Sequence, residues 1–264
     1  MPALSPQQLL AFHDANSYWP QGFGATVQEA YEHALAVREL RIARGEKPLG
    51  YKVGFTNRTI WERYGVYAPI WGTVYDTTVR SCGGAGELDI LNCSEPRLEP
   101  ECVFGIRATP PAHATLAQLF DCIEWFAPGF EVVQSHMRGW KFVAADTIAD
   151  GGLHGRLLVG TKRPVREISR DAEAFDAQLA RAHVALVCSD EVKDRGTGAN
   201  VLDGPLHALL HFLAALRDCP GAPDLQPGDL VTTGTWTDAW PVKPGETWTA
   251  RFDAPMPELK VTFQ

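Results

Sequence analysis

Nine short segments rich in β-branched and aromatic residues, each bounded by glycine, proline or aspartate, recur along the chain after residue 48. They are LGYKVGF (49–55), APIWGTVYD (68–76), EPECVFGI (99–106), GFEVVQS (129–135), GRLLVG (155–160), AHVALVCS (182–189), GDLVTTGT (228–235), ETWTARFD (246–253) and ELKVTFQ (258–264). The turns QPGD and KPGE supply proline and glycine where tight strand connections need them. Helical signals sit before and between these segments. Ser5-Pro6-Gln7-Gln8 has a capping serine, proline at the first helical position and glutamine at the third. Thr26-Val27-Gln28-Glu29 is a second capping box and opens an alanine-rich amphipathic helix running to Gly45. Two more helices are expected at about 115–126 and at 205–218, PLHALLHFLAALRD. The pattern is α+β: a helical N-terminal part over 1–47 and a β-rich catalytic part over 48–264, packed as one unit.

Net charge narrows the partners. The formal charge is −8 and no run of lysine and arginine occurs, which argues against nucleic acids and anionic membranes. An anionic substrate would therefore need a local positive centre. The N-terminal MPALSPQQLLAFHDA has neither the basic start nor the apolar stretch of a signal peptide. No apolar run approaches bilayer-spanning length. The six cysteines (82, 93, 102, 122, 188, 219) have no CxxC spacing, so free thiols in a reducing cytoplasm are expected rather than a zinc site.

The most informative stretch is RLEPECVFGI, residues 97–106. In a strand, Glu99 and Glu101 share one face with Val103, while Cys102 and Phe104 face the other way. Two adjacent carboxylates on a half-buried face repel unless one is protonated or a cation lies between them. Thirty residues on, Glu131 is a lone acid in another apolar segment. Three carboxylates without nearby histidine or cysteine suit a hard cation such as Mg²⁺ or Mn²⁺. An exposed edge strand, salt bridges to arginine, or an acid–base pair for glycoside hydrolysis stay open on spacing alone.

Lys52 lies within the apolar run GYKVGF. It is either a desolvated base, a charged anion holder, or an edge lysine reaching water. TTGT (232–235) surrounds a glycine with hydroxyls, which suits an oxyanion site or an ordinary strand end. His207 and His211 are four apart on an apolar helix without a zincin glutamate, so packed or surface histidines are expected. No GxSxG, P-loop or dinucleotide fingerprint is present.

In this order, RIARGEKPLGYKVGFTN, LEPECVFGI, GFEVVQSHMRGWKFVAADTIADGG, PLHALLHFLA and PGDLVTTGT resemble the 2-keto-4-pentenoate hydratase / 4-oxalocrotonate decarboxylase group of the fumarylacetoacetate hydrolase superfamily. The resemblance covers nearly the whole chain. It implies a mixed β-roll or sandwich body of the fumarylacetoacetase C-terminal type, and a homo-oligomer. It also implies Mg²⁺ or Mn²⁺ on Glu99, Glu101 and Glu131, with Lys52 in catalysis or substrate binding. Thr233, Gly234 and Thr235 would line the substrate site, and Lys141, Ala149 and Asp150 match further family positions, Lys141 and Asp150 as catalytic candidates. Two departures stand out. Ile70 in APIWG replaces an aspartate that many hydratases carry, and ADGGLHG replaces ADNAS with its polar serine. His154 either takes over that polar role or is a surface histidine.

The implied activity is hydration of a 2-hydroxy-2,4-dienoate to a 4-hydroxy-2-oxo acid in aromatic catabolism. Decarboxylation of a 4-oxalocrotonate-type diacid and C–C hydrolysis of an acylpyruvate are the alternatives. A non-catalytic oxo-acid-binding relative is the reading outside catalysis.

Overall fold

The computed structural model describes residues 3–264 and divides into two sheets with helices around them. The helices are α1 (Pro6–Asp14), α2 (Val27–Ala43), α3 (Trp61–Tyr64), α4 (Leu116–Asp121), α5 (Ala144–Ala149), α6 (Val165–Ile168), α7 (Ala172–Arg181) and α8 (Pro205–Asp218). The first seven strands are β1 (Pro48–Gly54), β2 (Ile70–Tyr75), β3 (Val79–Ser81), β4 (Ala85–Leu88), β5 (Arg97–Ile106), β6 (Ile123–Val133) and β7 (His154–Val159). The rest are β8 (Arg163–Pro164), β9 (His183–Cys188), β10 (Glu191–Thr197), β11 (Leu230–Thr235), β12 (Trp240–Pro241), β13 (Thr247–Phe252) and β14 (Leu259–Phe263).

The larger sheet runs β2-β1-β11-β5-β6-β7-β3, with β12 added to β5 and β8 to β6. Its outermost strands, β2 and β3, follow each other in sequence, so the sheet must roll to bring its edges together. Val74, Val79, Val103, Ala127, Leu157 and Leu230 fill the inside of that roll. The outer face carries the main core. There Leu98, Cys102 and Phe104 pack with α8 and with Trp248, Val261 and Phe263 of the second sheet, β10-β9-β13-β14-β4. The alternation along β5 is thus the one its sequence dictates.

Local signals place most helices. Ser5 and Thr26 close capping boxes with Gln8 and Glu29, and Pro6 starts α1. α1 and α2 pack with α5 around Leu9, Trp19, Phe23, Ala30 and Ile148. Buried Asp146 ties the intervening loop down by accepting the Phe23 N–H at 2.6 Å. By length and composition, Gly198–Asp218 could cross a bilayer, contrary to the sequence reading. Here Leu206, Leu209, Phe212, Leu213 and Leu216 of that stretch are buried in the protein core.

One expectation needs correction, and the structure adds elements the sequence reading did not include. The helix expected over 115–126 stops at Asp121, because residues from Ile123 pair with β5 along an 11-residue strand. Helices α5 and α7 go beyond the sequence reading; α7 buries Ala172, Phe175, Asp176 and Leu179 on one face behind an Asp171 cap. Strand β10, EVKDRGT, reads as polar loop yet pairs along the whole of β9 as a charged edge.

Candidate active site

The β5–β6 ladder sets Glu131 directly opposite Glu99, and Gly129 opposite Glu101. With Glu99 and Glu101 two residues apart, all three carboxylates project to one side of the sheet. One oxygen of each lies within 4.8 Å of the others. Glu101 and Glu131 are fully buried.

The neighbouring strands hold this cluster in place. On β11, the pairing with β5 slips between Thr232 and Thr235, and Gly234 adopts a φ of +94°. Its N–H donates to Glu101 Oε2 at 2.6 Å. A Cβ there would stand 1.9 Å from Thr56 Oγ1, so glycine is required by conformation and by space. On β1, buried Lys52 donates from Nζ to the Gly152 carbonyl at 2.8 Å and lies 3.1 Å from Glu131 Oε2. Gly152 also has positive φ, and a Cβ on it would press on the Lys52 stem at 2.9 Å.

Electrostatics separates the three acids. Burial raises Glu99 to about 7, opposed by Lys52 and reinforced by Glu131. Burial also drives Glu101 well above the usual carboxylate range, with Glu131 and Glu99 adding to it. Burial pushes Glu131 up too, but Lys52 and His154 outweigh it and keep Glu131 below its ordinary value. Burial alone would lower Lys52; the charges of Glu131, Glu99 and Glu101 more than offset this and hold the ammonium. Lys52 is therefore a charged lysine in an acidic cluster, not a neutral base.

Among the described residues, Glu101 Oε1 is buried without a hydrogen-bond partner, and Glu131 Oε2 meets only the Lys52 ammonium at 3.1 Å. Unsatisfied buried acceptors of this kind cost free energy unless a ligand answers them. An all-oxygen set of three converging carboxylates with an orphaned acceptor fits a hard divalent cation. The cluster lies at a cleft of about 230 Å³ lined by Phe55, Ile60, Ile70, Trp140 and Phe142, with Lys52, Glu99 and Arg97 at its polar end.

The remaining sequence candidates divide. Gly234 and Thr235 line the cleft, but the buried Thr233 hydroxyl is turned away and donates to the Cys102 carbonyl at 3.1 Å. Lys141 is exposed while its neighbours Trp140 and Phe142 line the cleft, at the end of a 3-10 turn over Arg138–Trp140. Asp150 is taken up by His136, whose N–H it accepts at 2.9 Å and whose Nδ1 lies 2.6 Å away. It borders a separate cavity of about 50 Å³ instead of the cleft. His154 is neither a surface histidine nor cleft-lining: Nδ1 meets Glu131 Oε1 at 2.9 Å and Nε2 meets Thr78 Oγ1 at 2.9 Å. Burial lowers its pKa against the pull of Glu131, leaving the ring neutral.

Sequence reasoning missed Arg97, Trp140, Thr78 and the Gly152 carbonyl. Arg97 carried a usable signal, because it shares strand parity with Glu99 and Glu101. The guanidinium stacks over the Trp140 ring at 4.3 Å. The Gly152 carbonyl had none, since backbone groups are placed only by the fold.

No protein-family model matches the chain. The 2-keto-4-pentenoate hydratase 1 of Dechloromonas aromatica is 31% identical over 230 residues, covering 84% of this chain and 80% of that protein. A 4-oxalocrotonate decarboxylase of a Pseudomonas species is 29% identical over 223 residues, or 83% and 80% of the two chains. Among solved structures, 4-oxalocrotonate decarboxylase from Pseudomonas putida G7, complexed with magnesium and adipate, superposes over 100% of both chains with TM-score 0.84 and 24% identity. Fumarylpyruvate hydrolase from Pseudomonas aeruginosa, in complex with Mn²⁺ and pyruvate, matches 81% of this chain and 88% of its own with TM-score 0.61 and 18% identity.

Proposed function

The chain belongs to the family of 2-keto-4-pentenoate hydratases and 4-oxalocrotonate decarboxylases, and from that premise we propose that it is a divalent-metal-dependent hydratase converting a 2-hydroxy-2,4-dienoate to a 4-hydroxy-2-oxo acid. The observation that carries this reading is the convergence of Glu99, Glu101 and Glu131, with Glu101 Oε1 orphaned, beside a charged lysine. Glu99, Glu101 and Glu131 would hold Mg²⁺ or Mn²⁺. When bound, the ion supplies a Lewis acid for the substrate's carboxylate and 2-oxygen and the positive centre that an anionic substrate needs.

The chain's own residues do the rest. Lys52 keeps its proton on Nζ between Gly152 O and Glu131, poised to deliver it to the dienolate carbon during ketonisation. Phe55, Ile70, Trp140 and Phe142 would enclose the unsaturated tail in a cleft that must also admit the one water added at C4. Gly234 fixes Glu101 through its N–H, so the carboxylate does not have to be ordered on binding.

One feature favours decarboxylation of a diacid: Arg97 lines the same cleft and makes no ion pair among the described residues. A second substrate carboxylate would find a partner there. Incubation with Mg²⁺ and 2-hydroxypenta-2,4-dienoate, with products followed by proton NMR, tests the hydratase reading. It predicts 4-hydroxy-2-oxopentanoate. An inert pentadienoate alongside CO₂ release from 4-oxalocrotonate would replace it with the decarboxylase reading.

A further inference from the structure

His154 owes its place to a flaw in the sheet. Along the β6–β7 ladder Glu131 pairs with Leu157 and Val132 with Arg156, but Val133 pairs with His154, so Gly155 is an extra residue. A Cβ on Gly155 would press on the Val132 carbonyl at 2.8 Å, which is why the bulge sits at a glycine. In an unbroken ladder residue 155 would oppose Val133 and residue 154 would point to the other face. The bulge instead puts His154 opposite Val133, which shares the face of Glu131.

Once there, the ring is fixed at both ends. Glu131 as a carboxylate only accepts, so the imidazole proton is assigned to Nδ1, which donates to Oε1 at 2.9 Å. Nε2 is then an acceptor, and the Thr78 hydroxyl lies 2.9 Å from it. Thr78 Oγ1 in turn accepts the Tyr75 N–H at 3.2 Å, and its single proton, within reach of both the Tyr75 carbonyl at 3.1 Å and Nε2, is assigned to Nε2 at the shorter distance. A directed chain thus runs from the β2 backbone through Thr78 and His154 to Glu131. It ends on Oε1, whereas Oε2 faces the carboxylate cluster and the Lys52 ammonium at 3.1 Å. All members are buried, so water cannot replace a missing link cheaply.

We propose that His154, aimed by the Gly155 bulge and oriented by Thr78, is the positioning residue that turns Glu131 to present Oε2 to a divalent cation. The inference rests on the metal-site reading above. Positioning partners of metal ligands typically contribute about 10- to 100-fold in metal affinity. The test is Mn²⁺ titration of the full chain, reading free Mn²⁺ by EPR, for wild type, His154→Leu, His154→Asn and Glu101→Gln.

His154→Leu removes both hydrogen bonds and is expected to weaken Mn²⁺ binding about 10- to 100-fold. His154→Asn places an amide N–H where Nδ1–H stood and is expected to recover most of that loss, which a purely space-filling role would not allow. Wild-type affinity in His154→Leu, with binding lost in Glu101→Gln, overturns the positioning role alone. Equal weakening in the leucine and asparagine variants also overturns it, leaving packing as the cause. Wild-type protein that takes up no Mn²⁺ overturns the metal reading and this inference with it.

Discussion

Glu131 stands directly across the β5–β6 ladder from Glu99, two acids on adjacent strands where like charges ordinarily repel. Lys52, at 3.1 Å from Glu131, offsets part of that repulsion. It does not satisfy Glu101 Oε1 or complete the hydrogen bonding of Glu131 Oε2. The pair makes physical sense as half of a cation site.

Lys52→Ala removes the ammonium without touching a carboxylate. Mn²⁺ uptake should persist, whereas turnover of the dienoate should fall by about 10²- to 10⁴-fold, the usual range for a lost proton donor. Steady-state kinetics beside a Mn²⁺ titration measure both. Full activity would remove Lys52 from the mechanism.

Glu99 supplies a pH signature. Burial raises its carboxyl from 4.5 to about 7 in the fold. A raised acid contributes stability that is present below its unfolded value and is lost as pH rises through the folded one. Metal-free protein should therefore lose melting temperature between about pH 5 and pH 8, and saturating Mg²⁺ should remove most of that slope. Thermal melts with EDTA and with Mg²⁺ check it; parallel curves would show that Glu99 does not feel the ion.

At Gly234, alanine meets both a positive φ of 94° and the Thr56 hydroxyl at 1.9 Å. Gly234→Ala should cost roughly 2 kcal/mol or more in urea unfolding and weaken Mn²⁺ binding by displacing the N–H that holds Glu101. Unchanged stability would mean that this strand end is free to rearrange.

Trp140 and Lys141 are adjacent but differ in role. Lys141→Ala should leave kcat/KM within about twofold, as exposed substitutions usually do. Trp140→Ala, which opens the cleft and frees Arg97, should raise KM with a smaller effect on kcat. The reverse ranking in steady-state assays would restore Lys141 as a catalytic residue.

Much of this site could be read before the fold was known. Strand parity puts Glu99 and Glu101 side by side, and the lone acid in GFEVVQS marks Glu131 as out of place in an apolar strand. What parity cannot reveal is register: that Glu131 opposes Glu99, or that a bulge at Gly155 swings His154 behind it. Thr233 and Asp150 matched family positions, yet hydrogen bonds to Cys102 and His136 take them out of the cleft. Helix α7, by contrast, carried local signals that went unread: Asp171 caps it, and Ala172, Phe175 and Leu179 share its buried face.

The central claim is that three carboxylates converge to bind one divalent cation. Mn²⁺ binding followed by EPR, on wild type and Glu101→Gln with matched circular dichroism, tests it most directly. The account predicts a single tightly held Mn²⁺ on wild type and at least about a 100-fold weaker site in the variant. Equal binding by both proteins, or none by wild type, would contradict it.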